Sequence, residues 1–182
     1  IGVDGVTDGG LIRWFMGGLL KLPPRQTRRV EVVTDIPVAM RDGVDLLVDR
    51  IYPGGQTSGP VVLIRSSYGR GGMFHLMAGL MAERGLQVVA QSVRGTGGSG
   101  GVFDPMRQEQ ADGADTLDWI RAQRWFSGQL FTFGPSYLGN VQWAMANGSA
   151  EMMDGLDLAV TLSNFRDELH SFGGLTLAGT LG

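Results

Sequence analysis

Short apolar runs and longer amphipathic stretches alternate along most of this chain. The short runs are rich in β-branched, aliphatic and aromatic residues, as strands covered on both faces of a sheet should be. They occupy residues 61–65, 86–92, 129–133 and 156–162. The longer stretches are predicted helices at residues 73–84, 108–124 and 137–146. The first two have apolar residues at helical spacing or grouped toward one side, and the third has helix-forming composition.

Two further strands are predicted ahead of this alternation, at residues 29–40 and 44–52. They flank Arg41-Asp42-Gly43, a hairpin signal in which glycine supplies a positive φ angle. A hairpin followed by strand–helix alternation predicts the α/β class, with a mostly parallel sheet and helices on both of its faces.

One strand-to-helix junction carries a candidate nucleophile. In residues 129–139, QLFTFGPSYLG, a glycine–proline pair ends the strand, Ser136 follows, and helix-forming composition begins at Tyr137. A strand–turn–helix with serine at the turn is the nucleophile elbow of α/β-hydrolases. The generic motif is G-x-S-x-G, whereas here the second glycine, Gly139, comes one place late. The alternative interpretation of Ser136 is an ordinary helix N-cap.

Composition excludes several kinds of site. The 182 residues carry a net charge of −3, which implies no broad attraction to nucleic acid. The one basic cluster, Arg25, Arg28 and Arg29, is interpreted as a solvated linker. The absence of cysteine excludes disulfides, thiolate zinc sites and a cysteine nucleophile. No metal site is expected, because neither histidine is paired with acids at ligand spacing.

The apolar stretch at residues 11–20 raises the question of a membrane or targeting segment. It is shorter than the roughly 20 apolar residues that span a bilayer, and Arg13 interrupts it. No signal-peptide cleavage pattern follows it. We therefore expect a short amphipathic helix that packs on the domain, no membrane span and a cytoplasmic protein.

Residues 95–100, GTGGSG, match the G-x-G-x-x-G fingerprint of dinucleotide-binding proteins. That motif must open directly into a helix that holds the pyrophosphate, but residues 101–105 intervene here. No cofactor is therefore expected. The loop is instead interpreted as backbone that passes close to the elbow, with Arg94 anchoring it through hydrogen bonds to carbonyls.

Five segments, in order, resemble the CocE/NonD hydrolases, the cocaine esterase and X-prolyl dipeptidyl-peptidase group of α/β-hydrolases. The matching segments are PVAMRDGV (37–44), IRSSYGR (64–70), VRGTGGS (93–99), DTLDWI (115–120) and GPSYLG (134–139). The elbow of that family is similar to G-x-S-Y-x-G, so Gly139 fits it. The resemblance implies an α/β-hydrolase fold that is incomplete in this chain, which corresponds to the family's N-terminal portion.

The resemblance also implies roles for three residues. Ser136 is the nucleophile, the backbone N–H of Tyr137 is one oxyanion donor, and the phenol of Tyr68 is the second. A phenol with a pKa of about 10 stays protonated at neutral pH and can donate to an alkoxide. The alternative for Tyr68 is a packing tyrosine in a glycine-flanked loop.

The expected function is hydrolysis of a small carboxylic ester through an acyl-enzyme on Ser136. An X-prolyl dipeptidyl-peptidase acting on short peptides, and a non-catalytic α/β-hydrolase-like domain, remain as alternatives. Amino-acid-ester hydrolases of this family tend to carry an acid at the positions of Gly69, Arg70 and Leu138, so that branch is less expected.

A serine nucleophile needs a base held by an acid, in the chain order Ser, Asp or Glu, His. His75 precedes Ser136, and His170 lies where the resemblance places a helical cap. The triad Asp and His are therefore expected beyond residue 182, and the remainder of the same hydrolase is expected to complete the fold. The predicted divisions are an extension with the short helix (1–28), part of the catalytic domain (29–163) and the start of the cap (164–182).

The isolated 1–182 polypeptide is expected to be inactive or insoluble, because the strand at 156–162 would form a bare apolar edge.

Overall fold

The computed structural model describes residues 10–161. The strands are β1 (Val30–Ala39), β2 (Asp45–Pro53), β3 (Gly59–Ser66), β4 (Gln87–Ser92), β5 (Phe126–Pro135) and β6 (Gly155–Ala159). The α-helices are α1 (Gly10–Leu19), α2 (Met73–Ala82), α3 (Glu109–Arg121) and α4 (Tyr137–Ser149), and a 3₁₀ turn follows at Ala150–Met152. Every predicted strand and helix is present, with bounds that differ by a few residues. The predicted cap region and His170 lie outside the described residues.

The six strands form one sheet in the order β1-β2-β4-β3-β5-β6. The pairs β1–β2 and β2–β4 are antiparallel, whereas β3–β4, β3–β5 and β5–β6 are parallel. The predicted hairpin and the mostly parallel sheet are therefore confirmed. β5, which leads into the elbow, lies between β3 and β6.

The core has two parts, one on each face of the sheet. On one face Leu117 of α3 and Val141 of α4 pack with Leu63 of β3. On the other face Ala78 of α2 packs with Val62 of β3. Successive residues of β3 thus point to opposite faces, and both faces are covered, which explains why its sequence is apolar throughout.

Helix α1 forms as predicted but turns an unexpected face to the domain. Its buried residues are Arg13 and Gly17, while Leu11 and Phe15 are largely exposed. Arg13 Nε donates to Glu83 Oε1, a carboxylate with no exposed surface, at 2.9 Å. The helix is therefore attached by a buried ion pair rather than by its apolar stripe. No helix within residues 10–161 is long and apolar enough to cross a membrane.

Two element ends differ from the prediction because of backbone geometry. β6 stops at Ala159 rather than continuing to residue 162, since Val160 adopts a left-handed φ of 49°. Helix α4 continues past the predicted end at residue 146, but with a kink at Asn147 and Gly148, where Gly148 has φ 119°. Among the described strands, β6 lies at one edge of the sheet, as expected.

Candidate active site

Ser136 lies at the turn between β5 and α4 in a strained backbone conformation. Its φ is 56° and its ψ is −124°, a region that non-glycine residues rarely adopt and that costs on the order of 1–3 kcal/mol. Its N–H donates to Ala159 O at 2.9 Å, which ties the turn to β6. The residue is exposed, and its side chain makes no capping hydrogen bond within the described part of the chain. This geometry argues against the N-cap interpretation.

The two glycines of the elbow are each required for a different steric reason. Gly134 has φ 154°, and a Cβ there would clash with the side chain of Leu138. A Cβ on Gly139 would lie 2.6 Å from Cβ of Thr161, the second residue after β6 ends. Leu138, at the position of the second glycine of the generic motif, is buried at 3% exposure. The late glycine therefore marks the place where α4 approaches the segment after β6.

Gln142 braces the elbow from beneath, a role that the sequence analysis missed. It is 2% exposed and accepts a hydrogen bond from Thr132 Oγ1 at 2.6 Å. Its amide nitrogen donates to Gly134 O at 3.0 Å and to Asp157 O at 3.1 Å. One side chain of α4 thus joins the end of β5 to β6. The available signal was an amide between two apolar residues, Val141 and Trp143, six positions after the serine.

The backbone N–H and the side chain of Tyr137 have different roles. As the first residue of α4, its N–H has no partner within the helix. Its hydroxyl instead donates to Glu109 Oε1 at 2.9 Å, below the elbow. Burial, together with the nearby Glu109 carboxylate, raises the pKa of Tyr137, so its phenol stays neutral. The side chain is part of the structural support, and the backbone N–H remains available.

Tyr68 leaves the sheet beside the elbow. β3 and β5 are parallel neighbours in which Leu63 pairs with Thr132; Tyr68 lies five residues beyond the first and Ser136 four beyond the second. Both residues therefore emerge at the carboxyl edge of adjacent strands, where α/β sheets place their sites. Tyr68 is 69% exposed, which among the described residues does not fit a packing role.

A buried charged network lies under the elbow and was also missed. Arg65, 2% exposed, donates from Nε to Gln91 Oε1 at 2.7 Å and from Nη1 to Glu109 O at 2.9 Å. Its Nη2 lies 3.1 Å from Glu109 Oε2, the carboxylate that also binds Tyr137. Burial lowers the pKa of Arg65, and the Glu109 carboxylate opposes that shift. Glu109, in the first turn of α3, thus places a carboxylate beside a buried guanidinium.

Arg94 anchors its loop through carboxylates, not through carbonyls as expected. Its Nη2 lies 2.6 Å from Asp112 Oδ1 on α3, and its Nη1 lies 2.8 Å from Asp42 Oδ2 in the β1–β2 turn. The hydrogen bonds to Asp112 and Asp42 raise the pKa of Arg94. Asp112, like Glu109, lies in the first turn of α3. The loop, the hairpin and α3 are thus held together by one side chain.

The glycine-rich loop does not pack as predicted. The nearest atoms to a Cβ on Gly95 belong to Phe103 and Val102 of the same connection. A Cβ on Gly97 would clash with Ser92 Oγ and lie 3.2 Å from Gly69 Cα. The glycines of the loop therefore approach their own connection, the Tyr68 loop and the neighbouring strands, including Asp45 of β2, which lies 3.2 Å from a Cβ on Gly100. The elbow is approached only further along the same connection, where the ring centroid of Phe103 lies 6.1 Å from that of Tyr137. Helix α3 begins only at Glu109, so the loop does not open into a helix as a dinucleotide motif requires.

His75 has a partner far from the serine. Its Nε2 lies 2.7 Å from Asp49 Oδ2 on β2. β2 is three strand positions from β5, about 14 Å across the sheet at roughly 4.8 Å per strand. His75 therefore does not occupy the place of a triad base. Within residues 10–161, no group of three or more His, Cys, Asp and Glu residues could hold a metal ion.

A mostly parallel sheet with helices on both faces, whose fifth strand ends in a strained serine turn, defines an α/β-hydrolase. Comparison with known proteins makes this more specific. Residues 42–181 match the X-Pro dipeptidyl-peptidase (S15) family, and the chain belongs to that family.

Individual relatives agree with the family. The chain is 38% identical to cocaine esterase from Rhodococcus sp. (strain MB1 Bresler), over 63% of its own length and 21% of that enzyme. A CocE/NonD family hydrolase from Staphylococcus aureus superimposes with a TM-score of 0.70 and 23% identity, over 81% of this chain and 31% of the other. An α-amino acid ester hydrolase gives a TM-score of 0.58 and 26% identity, over 71% and 24%. The resemblance to CocE/NonD hydrolases is thereby confirmed, and this chain spans about a fifth of the length of cocaine esterase.

Proposed function

We propose that the protein is a serine hydrolase that cleaves a carboxylic ester through an acyl-enzyme on Ser136. The observation that carries the proposal is the strained, exposed and uncapped conformation of Ser136 at the end of β5. A non-glycine residue held at this φ is the kind of strain that folds retain at functional sites. The 38% identity to an enzyme named cocaine esterase supports an ester as the substrate.

In the proposed reaction, Ser136 Oγ attacks the ester carbonyl and forms a tetrahedral alkoxide. The N–H of Tyr137 and the phenol of Tyr68 donate to that oxygen. Collapse breaks the bond to the leaving alcohol, which departs with the proton that Ser136 lost. Water then hydrolyses the acyl-enzyme and restores the serine.

The proton must pass through a base during both steps. We place that histidine and its acid beyond residue 182, in the part of the enzyme that completes the fold. The divisions at residues 28/29 and 163/164 belong to the same proposal, with the cap beginning after β6.

A dipeptidyl-peptidase that cleaves after X-Pro is the second candidate, because the matching family carries that description. An ester is preferred because of the cocaine esterase relative. An amino-acid-ester substrate is less favoured, because its amine would need an acidic side chain at these positions. Arg70 binds partners on β1, β2 and β4, and Leu138 is buried, so neither residue provides one.

Labelling of the complete protein with a fluorophosphonate tests the proposal. We expect one adduct on Ser136 and none on a Ser136→Ala variant, and we expect a nitrophenyl ester to be hydrolysed faster than an X-Pro peptide amide. Labelling with the opposite substrate preference would favour the peptidase. Absence of labelling in a folded protein would favour a non-catalytic domain.

A further inference from the structure

Tyr68 lies in the segment between β3 and α2, and the residues next to it do little to fix the position of its side chain. Gly69 and Gly72 both follow the tyrosine, with φ angles of 93° and 57°, and such residues give a chain much conformational freedom. The N–H of Tyr68 donates to Ser66 Oγ at 3.0 Å, and the exposed ring gains little from packing among the described residues. The position of the phenol must therefore be set by another part of the loop.

Arg70, two residues after Tyr68, is anchored at several points. Its Nε donates to Asp49 Oδ1 at 3.0 Å. Its Nη1 donates to Ser92 Oγ at 3.0 Å and to Gly97 O at 2.6 Å. Its Nη2 forms a further ion pair with Asp35. The side chain is only 9% exposed. Its planar, always-charged guanidinium is fixed by four partners on the sheet and its loops.

These partners all lie on one side of the loop. They come from β1, from β2 and from β4 with the connection that follows it. The sheet order places β4 on one side of β3 and β5, with Ser136 at its end, on the other. Arg70 therefore fastens the loop from the side opposite the elbow, which leaves the neighbouring Tyr68 free to face the serine.

Asp49 strengthens this anchor from a second direction. The same carboxylate, 4% exposed, binds Arg70 through Oδ1 and His75 Nε2 through Oδ2, at 3.0 and 2.7 Å. His75 lies in the first turn of α2, just after the loop ends. One buried carboxylate of β2 thus binds both the loop, through Arg70, and the following helix, through His75.

We propose that Arg70 is a positioning residue that holds the phenol of Tyr68 where it can donate to the oxyanion formed on Ser136. This inference rests on the proposed function, because it needs the oxyanion role of Tyr68. Loss of Arg70 would let the loop sample other conformations. The phenol would then be misplaced in the transition state, with little change in how the substrate binds.

A double-mutant cycle on the complete enzyme tests the proposal with a nitrophenyl ester. Tyr68→Phe removes the donor and is expected to lower kcat by about 10²-fold. Arg70→Met is expected to lower kcat between about 10- and 100-fold with KM nearly unchanged. Arg70→Lys should restore part of that loss. Arg70→Met in the Tyr68→Phe background should lower kcat no further, because the group that Arg70 positions is already absent.

Arg41→Met is the matched control. It removes hydrogen bonds from the guanidinium to both carboxylate oxygens of Asp115 on α3, and among the described residues the Arg41 side chain has no hydrogen bond to the Tyr68 loop, so kcat should stay at the wild-type value. Counting active sites by fluorophosphonate titration corrects every kcat for unfolded protein.

Equal loss of kcat from Arg70→Met with and without the Tyr68 hydroxyl would overturn the positioning role, as would an unchanged kcat. If Ser136→Ala is inactive but Tyr68→Phe is fully active, the oxyanion assignment fails and the Arg70 proposal fails with it. If Ser136→Ala keeps its activity, the proposed function itself is wrong. The three failures are therefore distinguishable.

Discussion

Replacing Gln142 by methionine removes the brace beneath the elbow while keeping a side chain of similar size. The change leaves the Thr132 hydroxyl and the carbonyls of Gly134 and Asp157 without their partner, at a site that is 2% exposed. Each buried polar group left unpaired costs about 1–3 kcal/mol. Methionine buries more apolar surface than glutamine, and this offsets about 1 kcal/mol of the summed cost of the unpaired groups.

We therefore expect Gln142→Met to lower the free energy of unfolding by at least about 2 kcal/mol, a large share of the roughly 5–15 kcal/mol of a typical domain. Because Gly134 leads directly into the turn, the rate of fluorophosphonate labelling at Ser136 should fall as well. Denaturant unfolding followed by tryptophan fluorescence gives the first quantity, and timed labelling of the folded protein gives the second.

Gln123→Met is the matched control, since Gln123 donates locally to Trp119 O at 2.9 Å in a part-buried position. It should cost no more than about 1 kcal/mol and leave labelling unchanged. Equal unfolding midpoints for the two variants, or wild-type labelling of Gln142→Met, would refute the reasoning.

Three other predictions concern the same molecule. Ser136→Gly should unfold at a higher denaturant concentration than Ser136→Ala, by about 1 kcal/mol, because only glycine relieves the φ of 56°; the reverse order would contradict strain at the elbow. Glu109→Gln should cost about 3–5 kcal/mol in denaturant unfolding, because it removes the carboxylate that lies 3.1 Å from the buried Arg65 guanidinium. Loss of the pair between Arg41, which is 61% exposed, and Asp115 should cost at most about 1 kcal/mol, and similar costs for the two changes would refute the burial argument. Burial raises the pKa of Asp49, but its hydrogen bonds to His75, the Asp35 N–H and Arg70 outweigh burial and lower it overall. The stability from Asp49 is thus present above the unfolded pKa of about 3.9 and lost as pH falls through the lower folded value, so Asp49→Asn should show a shallower acid limb of stability against pH, and parallel curves would contradict this.

Local patterns were sufficient to predict much of the fold. The period and length of apolar runs distinguish strands from helices, and both can be read from residues that are neighbours along the chain. They predicted the hairpin, the parallel strands and the junction at Ser136. The position of Tyr68 at the same sheet edge follows once β3 and β5 are known to be adjacent.

The charged interior could not be predicted in this way. Arg65 pairs with Glu109, and Arg94 pairs with both Asp42 and Asp112. The partners are far apart in the sequence, so the periodicity of apolar residues gives no information about these pairs. In a sequence, an acid in the first turn of a helix is equally compatible with the helix dipole and with a distant arginine. Only the packing of α3 on the sheet separates the two interpretations.

Helix α1 shows the same limit for hydrophobic patterns. An apolar stripe predicts the buried face of a helix. Here Glu83 has no exposed surface and needs a cation, so Arg13 faces inward and the stripe faces outward. The requirement of a buried carboxylate outweighed the apolar pattern.

Rapid-quench mass spectrometry of the complete protein with a nitrophenyl ester tests the central claim most directly. We predict that, before steady state, the peptide containing Ser136 gains the mass of the acyl group, and that the Ser136→Ala protein gains none. Acyl mass on another residue, or product release with no acylated peptide under conditions that trap other serine esterases, would contradict the assignment of Ser136 as the nucleophile.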